Sequence, residues 1–153
     1  MLHVTAHLPK ADAPGKPDAS LTLRHDQRRL RRRLLALPDG TEFMLDLPAP
    51  VTLSDGDRLA LSDGRSIAIV AAHEPVYEVK GRNAVHLARL AWHIGNRHLP
   101  AQIQAGRILI ARDPTIRAML IGLGATVNEY DAPFSPEPGA YDHGHASHAL
   151  LAR

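Results

Sequence analysis

A change of pattern near His73 constrains this chain more than any other feature. Before it, from residue 21 to about residue 72, turn signals punctuate short apolar runs: Pro38-Asp39-Gly40, Asp55-Gly56 and Asp63-Gly64. Asp-Gly is a strong turn dipeptide because glycine reaches positive φ at no steric cost. The runs between the turns, residues 42–47, 58–61 and 66–72, have strand length, so this half reads as a small β module. Pro48 and Pro50 argue against a central strand where they stand. Residues 1–10 hold room for one strand, and Pro14, Gly15 and Pro17 mark residues 10–19 as an exposed loop.

After His73 strand and helix signals alternate. Residues 75–80 read as a strand, and Asn83 can cap a helix over residues 84–94 that Gly95 stops in the left-handed conformation. Leu87, Ala88, Ala91 and Ile94 form its apolar face, with His86, Arg89 and His93 on another. Strands at 101–105 and 107–111 flank Gly106. Asp113 caps a second helix with Pro114 at its first position, and residues 125–130 form a last strand. The order β-α-β-β-α-β is the ferredoxin-like arrangement. The expected fold class is α+β: a small all-β domain at 1–72, a ferredoxin-like domain at 73–132, and a flexible histidine-containing tail at 133–153, rich in Pro and Gly.

Composition narrows the chemistry. There is no cysteine, which removes disulfides and thiolate metal sites, whereas ten histidines are unusual in 153 residues and suit zinc, copper or nickel. The net charge of +2 is close to balanced and implies no polyanionic partner. The N-terminal residues lack a signal-peptide pattern and no apolar run approaches membrane-spanning length, so a cytoplasmic protein without membrane attachment is expected. No phosphate loop, HExxH or nucleophile elbow is present, and no acidic pair suggests acid–base work; a non-enzyme is expected.

Three constellations stand out. His98 follows Gly95-Asn96-Arg97 at a helix end, and Pro100 keeps the helix from resuming; it is either a metal ligand on a scaffolded loop or a histidine favoured at a helix C-terminus. His143, His145 and His148 form an imidazole cluster in the tail that either binds metal or is a solvated polar segment. Arg28, Arg29, Arg31, Arg32 and Arg33 form a basic run that would bind RNA or an acidic surface, or else lie as a solvated strand face. The remaining histidines, His86 among them, have no spacing that signals a site and read as structural or surface residues.

The segment HLARLAWHIGNRHLPAQI, residues 86–103, resembles the signature of the UreE family of urease accessory nickel chaperones, with GNRH as its metal motif. PAPVTLSDGDRLAL, residues 48–61, and APFSPEPGAY, residues 132–141, resemble the family's β-domain turn and the segment leading to its tail. The resemblance implies a β domain that meets partners and a second domain that forms a homodimer and binds Ni2+ through His98 of each subunit. His143, His145 and His148 would add ligands, and Zn2+ would be the competing ion. It implies delivery to a urease accessory GTPase and the apo-urease maturation complex. The chain lacks the long polyhistidine tail of many members, and residues 107–125 carry no histidine.

The alternative is an RNA-binding module on a ferredoxin-like domain. Such modules stack bases on aromatics of their central strands, and residues 101–111 contain none. A filter-binding assay at physiological salt is therefore expected to show no tight RNA binding. Tight binding that falls steeply with salt and disappears on replacing Arg31, Arg32 and Arg33 would reverse this expectation.

Overall fold

A computed structural model describes residues 1–140; His143, His145 and His148 lie outside the described residues. Met1–Ala71 and Ala72–Glu137 form separate compact units. Together they make an α+β protein: a β half-barrel followed by a βαββαβ unit. Among the described residues no helix is long and apolar enough to cross a membrane.

The first unit contains β1 (Leu2–Leu8), β2 (Ala19–Leu23), β3 (Arg29–Ala36), β4 (Glu42–Thr52), β5 (Arg58–Leu61) and β6 (Ser66–Ala71), in sheet order β2-β6-β5-β1-β4-β3. Alternation places Leu21, Leu23, Phe43, Leu45, Leu59, Ile67 and Ile69 in one core. The β5–β6 hairpin turns at Gly64, whose φ of 92° matches the Asp-Gly signal.

The Ser54–Asp57 turn is tied from several sides. Asp57 accepts from the backbone N–H groups of Ser54 at 2.9 Å and Lys10 at 3.3 Å, and its carboxylate lies 2.8 Å from His7 Nε2. Asp55 accepts from Ala71 N–H at 2.8 Å. The SDGD segment thus owes its residues to folding: its carboxylates satisfy backbone donors that strands leave open.

Two sequence expectations change here. β4 runs through Pro48 and Pro50 to Thr52 rather than stopping before them. The pairing with β3 shifts between Leu30↔Val51 and Arg32↔Asp46, so residues 47–50 have no registered partner and both prolines fall where no ladder donor is needed. The basic run is not uniformly solvated either. Arg28 is 2% exposed and donates to Leu53 O at 3.2 Å, whereas Arg29, Arg31, Arg32 and Arg33 are exposed, the last four on the edge strand β3.

The second unit contains β7 (His73–Lys80), α1 (Ala84–Asn96), β8 (Ala101–Gln104), β9 (Arg107–Ala111), α2 (Pro114–Gly122) and β10 (Thr126–Pro133). The antiparallel order β10-β7-β9-β8 is the ferredoxin-like arrangement that the pattern predicts. Both expected caps form: Asn83 Oδ1 accepts from His86 N–H at 2.8 Å, and Asp113 Oδ1 from Thr115 N–H at 2.9 Å. Tyr77, Val79, Ile108 and Ile110 of the sheet pack against Leu90 and Ile94 of α1 and Ile116 and Leu120 of α2.

The buried stripe of α1 is His86, Leu90 and Ile94 at i, i+4 and i+8; of the expected face Ile94 is buried and Leu87 and Ala91 pack half-buried on the same core, whereas Ala88 is exposed. A histidine can lie there because both ring nitrogens are used. Nδ1 accepts from Arg82 N–H at 2.9 Å, and Nε2–H donates to Leu123 O at 2.8 Å. His86 is accordingly a structural residue joining the start of α1 to the end of α2.

The opposite sheet face holds Val76 and Leu109 beside the carboxylate of Glu78, which is 4% exposed. Glu78 accepts from Arg107 Nη1 at 2.8 Å and Asn128 Nδ2 at 3.2 Å. The Arg107 hydrogen bond, with help from Asn128 and Lys80, holds its carboxyl below the usual range despite burial. A lowered folded value means this stabilisation is complete above the ordinary value of 4.5 and is lost as pH falls through the folded value. Arg107→Gln is expected to cost about 1–2 kcal/mol at neutral pH, the range for a part-exposed charged hydrogen bond. Urea denaturation of both proteins should show the difference shrinking below pH 4.5.

Candidate metal centre

His98 stands just beyond α1. The helix does not stop at Gly95, as its sequence suggests, but continues to Asn96 with Arg97 as C-cap. His98 itself takes the left-handed conformation, φ 59°, and among the described residues it is the only non-glycine with positive φ. Its N–H donates to Gly95 O at 2.9 Å, and Leu99 N–H reaches Ile94 O at 3.4 Å. This pair of bonds is the Schellman closure, in which glycine usually holds the place His98 occupies. Leu99 packs in the same core cluster as Ile94, the apolar contact that accompanies such a closure. Pro100 follows directly and cannot continue a helix.

The consequence is an exposed imidazole on a backbone that is fixed on both sides. The left-handed region costs a residue with a Cβ roughly 1–2 kcal/mol. Such strain persists where surrounding structure over-determines it, and it points to a site that uses the side chain. GNRH in the sequence marked His98, but its backbone conformation was not legible, because Gly95 offered the more ordinary stop.

The neighbouring groups are few. His93, on the last turn of α1, is half-buried and meets Trp92 edge-on, with centroids 5.1 Å apart and planes at 88°. Arg97 Nε lies 2.9 Å from Met119 Sδ, tying the C-cap to α2. Among the described residues no group of three His, Asp or Glu side chains converges to hold an ion. One copy of the described chain therefore brings His98 into position but not a complete donor set.

The regions with sequence resemblance also match at the family level. Residues 1–72 match the model of the UreE urease accessory protein N-terminal domain, and residues 74–151 that of its C-terminal domain. The chain is similar to urease accessory protein UreE of Mesorhizobium japonicum, 58% identical over 127 residues, which cover 83% of this chain and 65% of that protein. It is 57% identical over 138 residues to UreE of Rhizobium meliloti, covering 88% and 90% of the two chains. It is 53% identical over 149 residues to UreE of Rhizobium rhizogenes, covering 97% and 89%.

The chain belongs to the UreE urease accessory protein family, whose members are nickel chaperones for urease maturation and not enzymes. Family membership sets aside the RNA-binding alternative.

His98→Gly is expected to fold with about 1 kcal/mol more stability than His98→Ala, because only glycine is unstrained at this φ. Thermal or urea melts of the two variants check this. Equal stability would place His98 outside the left-handed region.

Proposed function

We propose that this chain carries Ni2+ as cargo on His98, paired with the same residue of a second copy, and releases it to the urease maturation machinery. The observation that carries the reading is the strained, exposed His98 at the fixed end of α1. One imidazole holds an ion weakly, and a two-fold contact repeats every residue, so a homodimer with His98 near its axis supplies two. His143, His145 and His148 then supply further imidazoles that can be exchanged one at a time with a recipient. Nitrogen donors without thiolates suit Ni2+, and Zn2+ competes for the same set.

The apolar surface beside α1 supports the homodimer. Val85 and Trp92 are 63% and 64% exposed on the helix, and Ile103 is 51% exposed on β8. Ile103 lines a groove of about 480 Å³ together with Leu87, Ala88, Ala91 and Ile108. A second copy covering this surface would bury large side chains that water otherwise surrounds. The proposed recipients are the urease accessory GTPase and the apo-urease complex, met in the cytoplasm through the β unit. The exposed arginines of β3 offer charge for an acidic surface there.

His98→Ala is expected to weaken the tightest nickel site by about an order of magnitude or more while the protein remains a folded dimer. Calorimetric titration and sedimentation measure the two properties. Unchanged affinity would sink the assignment. Removing the chain from His143 onward is expected to reduce capacity or affinity without abolishing the His98 site, and complete loss would make the tail primary.

A further inference from the structure

The chain that leaves His98 enters β8, a short edge strand. Its four residues, Ala101–Gln104, pair with β9 alone. The β8–β9 hairpin turns about Gly106, so the Ala101↔Ile110 pair is its open end. A hairpin frays first at the end that no turn closes. That end lies three residues from His98. Three residues span at most about 11 Å, so movement of Ala101 is passed directly to the His98 backbone.

The open end is tied a second time. Ser135 N–H donates to Gln102 Oε1 at 2.9 Å, and Glu137 N–H to Ala101 O at 2.8 Å. Residues 133–137 run as a strap from β10 at one edge of the sheet to β8 at the other, across the face that the helices leave open. Phe134 anchors the crossing: it is 1% exposed and packs on Val76 and Leu109. Pro133 and Pro136 leave three backbone N–H groups in the strap, and two of them go to β8. Proline fixes φ near −65° and stiffens the crossing. The expectation of a flexible tail from Pro133 is therefore overturned as far as Glu137: proline acts here as a stiffener, and Phe134 as a core residue.

We propose that the strap is a clamp on the His98 loop: by holding Ala101 and Gln102 it fixes the chain that leaves His98, and so keeps the imidazole in position for its ion. The inference rests on the assignment of His98 as nickel ligand. The loop then has one tie on each side. Toward α1 it has the helix closure, with Leu99 in the core; toward β8 it has the strap. With the strap released, the hairpin end frays and the fraction of chains holding His98 in place falls. Apparent affinity falls by that same fraction. Gln102, Phe134, Ser135 and Glu137 are positioning residues in this scheme, acting through the backbone of residues 98–101.

The test compares the full chain with the double variant Gln102→Ala/Glu137→Pro, which removes both ties and leaves Phe134 in place. Amide hydrogen exchange without metal reads the His98 and Leu99 N–H groups, which the helix closure protects. Exchange about tenfold faster at these two, with the core residues Val79 and Leu90 unchanged, is the expected effect of two hydrogen bonds lost locally. Gln102→Glu keeps an acceptor for Ser135 N–H and is expected to exchange like the parent. NiCl2 is then titrated into the same chains with every histidine beyond residue 140 replaced by alanine, so that residues 1–140 alone supply imidazoles. Affinity is expected to fall roughly two- to tenfold in the double variant. Unchanged exchange at His98 and Leu99, or a rise shared equally by Val79 and Leu90, overturns the clamp, since a strap that only covers the sheet would behave so. Faster local exchange with unchanged affinity overturns its positioning role. His98→Ala separates the two readings. If it leaves affinity intact, or if the parent of this series binds no nickel, the His98 assignment falls and the positioning role with it. If it weakens binding and the double variant does not, only the strap proposal falls.

Discussion

Ile94 links the fold to the site. Its side chain is buried against Ile108 and Ile110 of the sheet, and its carbonyl accepts the bond that closes the helix end. Leu99 joins it in the same core cluster after the chain has turned. Helix packing, helix termination and the direction of the chain at His98 therefore share one residue. A shift of α1 on the sheet would move the imidazole with it, and the closure cannot open without taking Leu99 out of the core. This coupling makes a surface loop as well placed as an element of secondary structure.

The surroundings of His98 and His86 suit the two histidines to different roles. His98 is one of two exposed histidines of the second unit, with His73 on β7, and it stands on a backbone fixed on both sides. A resident structural ion would call for a closed shell of ligands from one chain. A carrier has the opposite need, since every ligand fixed by the fold slows release. The buried His86 shows the contrast within a single helix. There both ring nitrogens are committed to backbone groups, and the residue is lost to metal chemistry.

Much of the architecture was legible because local signals agreed with tertiary demands. Asn83, Asp113 and Pro114 marked both helix starts, and the Asp-Gly pairs marked turns, since each meets a backbone requirement fixed within a few residues. Readings failed where a distant partner decided the outcome. Pro48 and Pro50 sit in a strand because a register shift opposite them removes the need for donors. His86 joins the buried stripe of α1 because Leu123 O, 37 residues away, accepts a hydrogen bond from its ring. Arg28 is buried because Leu53 O accepts from its guanidinium. At the site, the GNRH motif was visible as a string, whereas the left-handed backbone of His98 was hidden behind a nearer glycine.

Beyond β10 the chain runs on to β8, where Ser135 N–H donates to Gln102 Oε1 and Glu137 N–H to Ala101 O. β8 is an edge strand, and an uncovered edge is a template onto which another chain can add a strand. Glu137 occupies the Ala101 carbonyl, and Ser135 occupies the side chain beside it. Prolines at 133, 136 and 138 make the strap itself a poor surface for further strands, because they present no donors. The segment therefore covers part of the β8 edge. A strand adding to β8 would first have to displace these two hydrogen bonds.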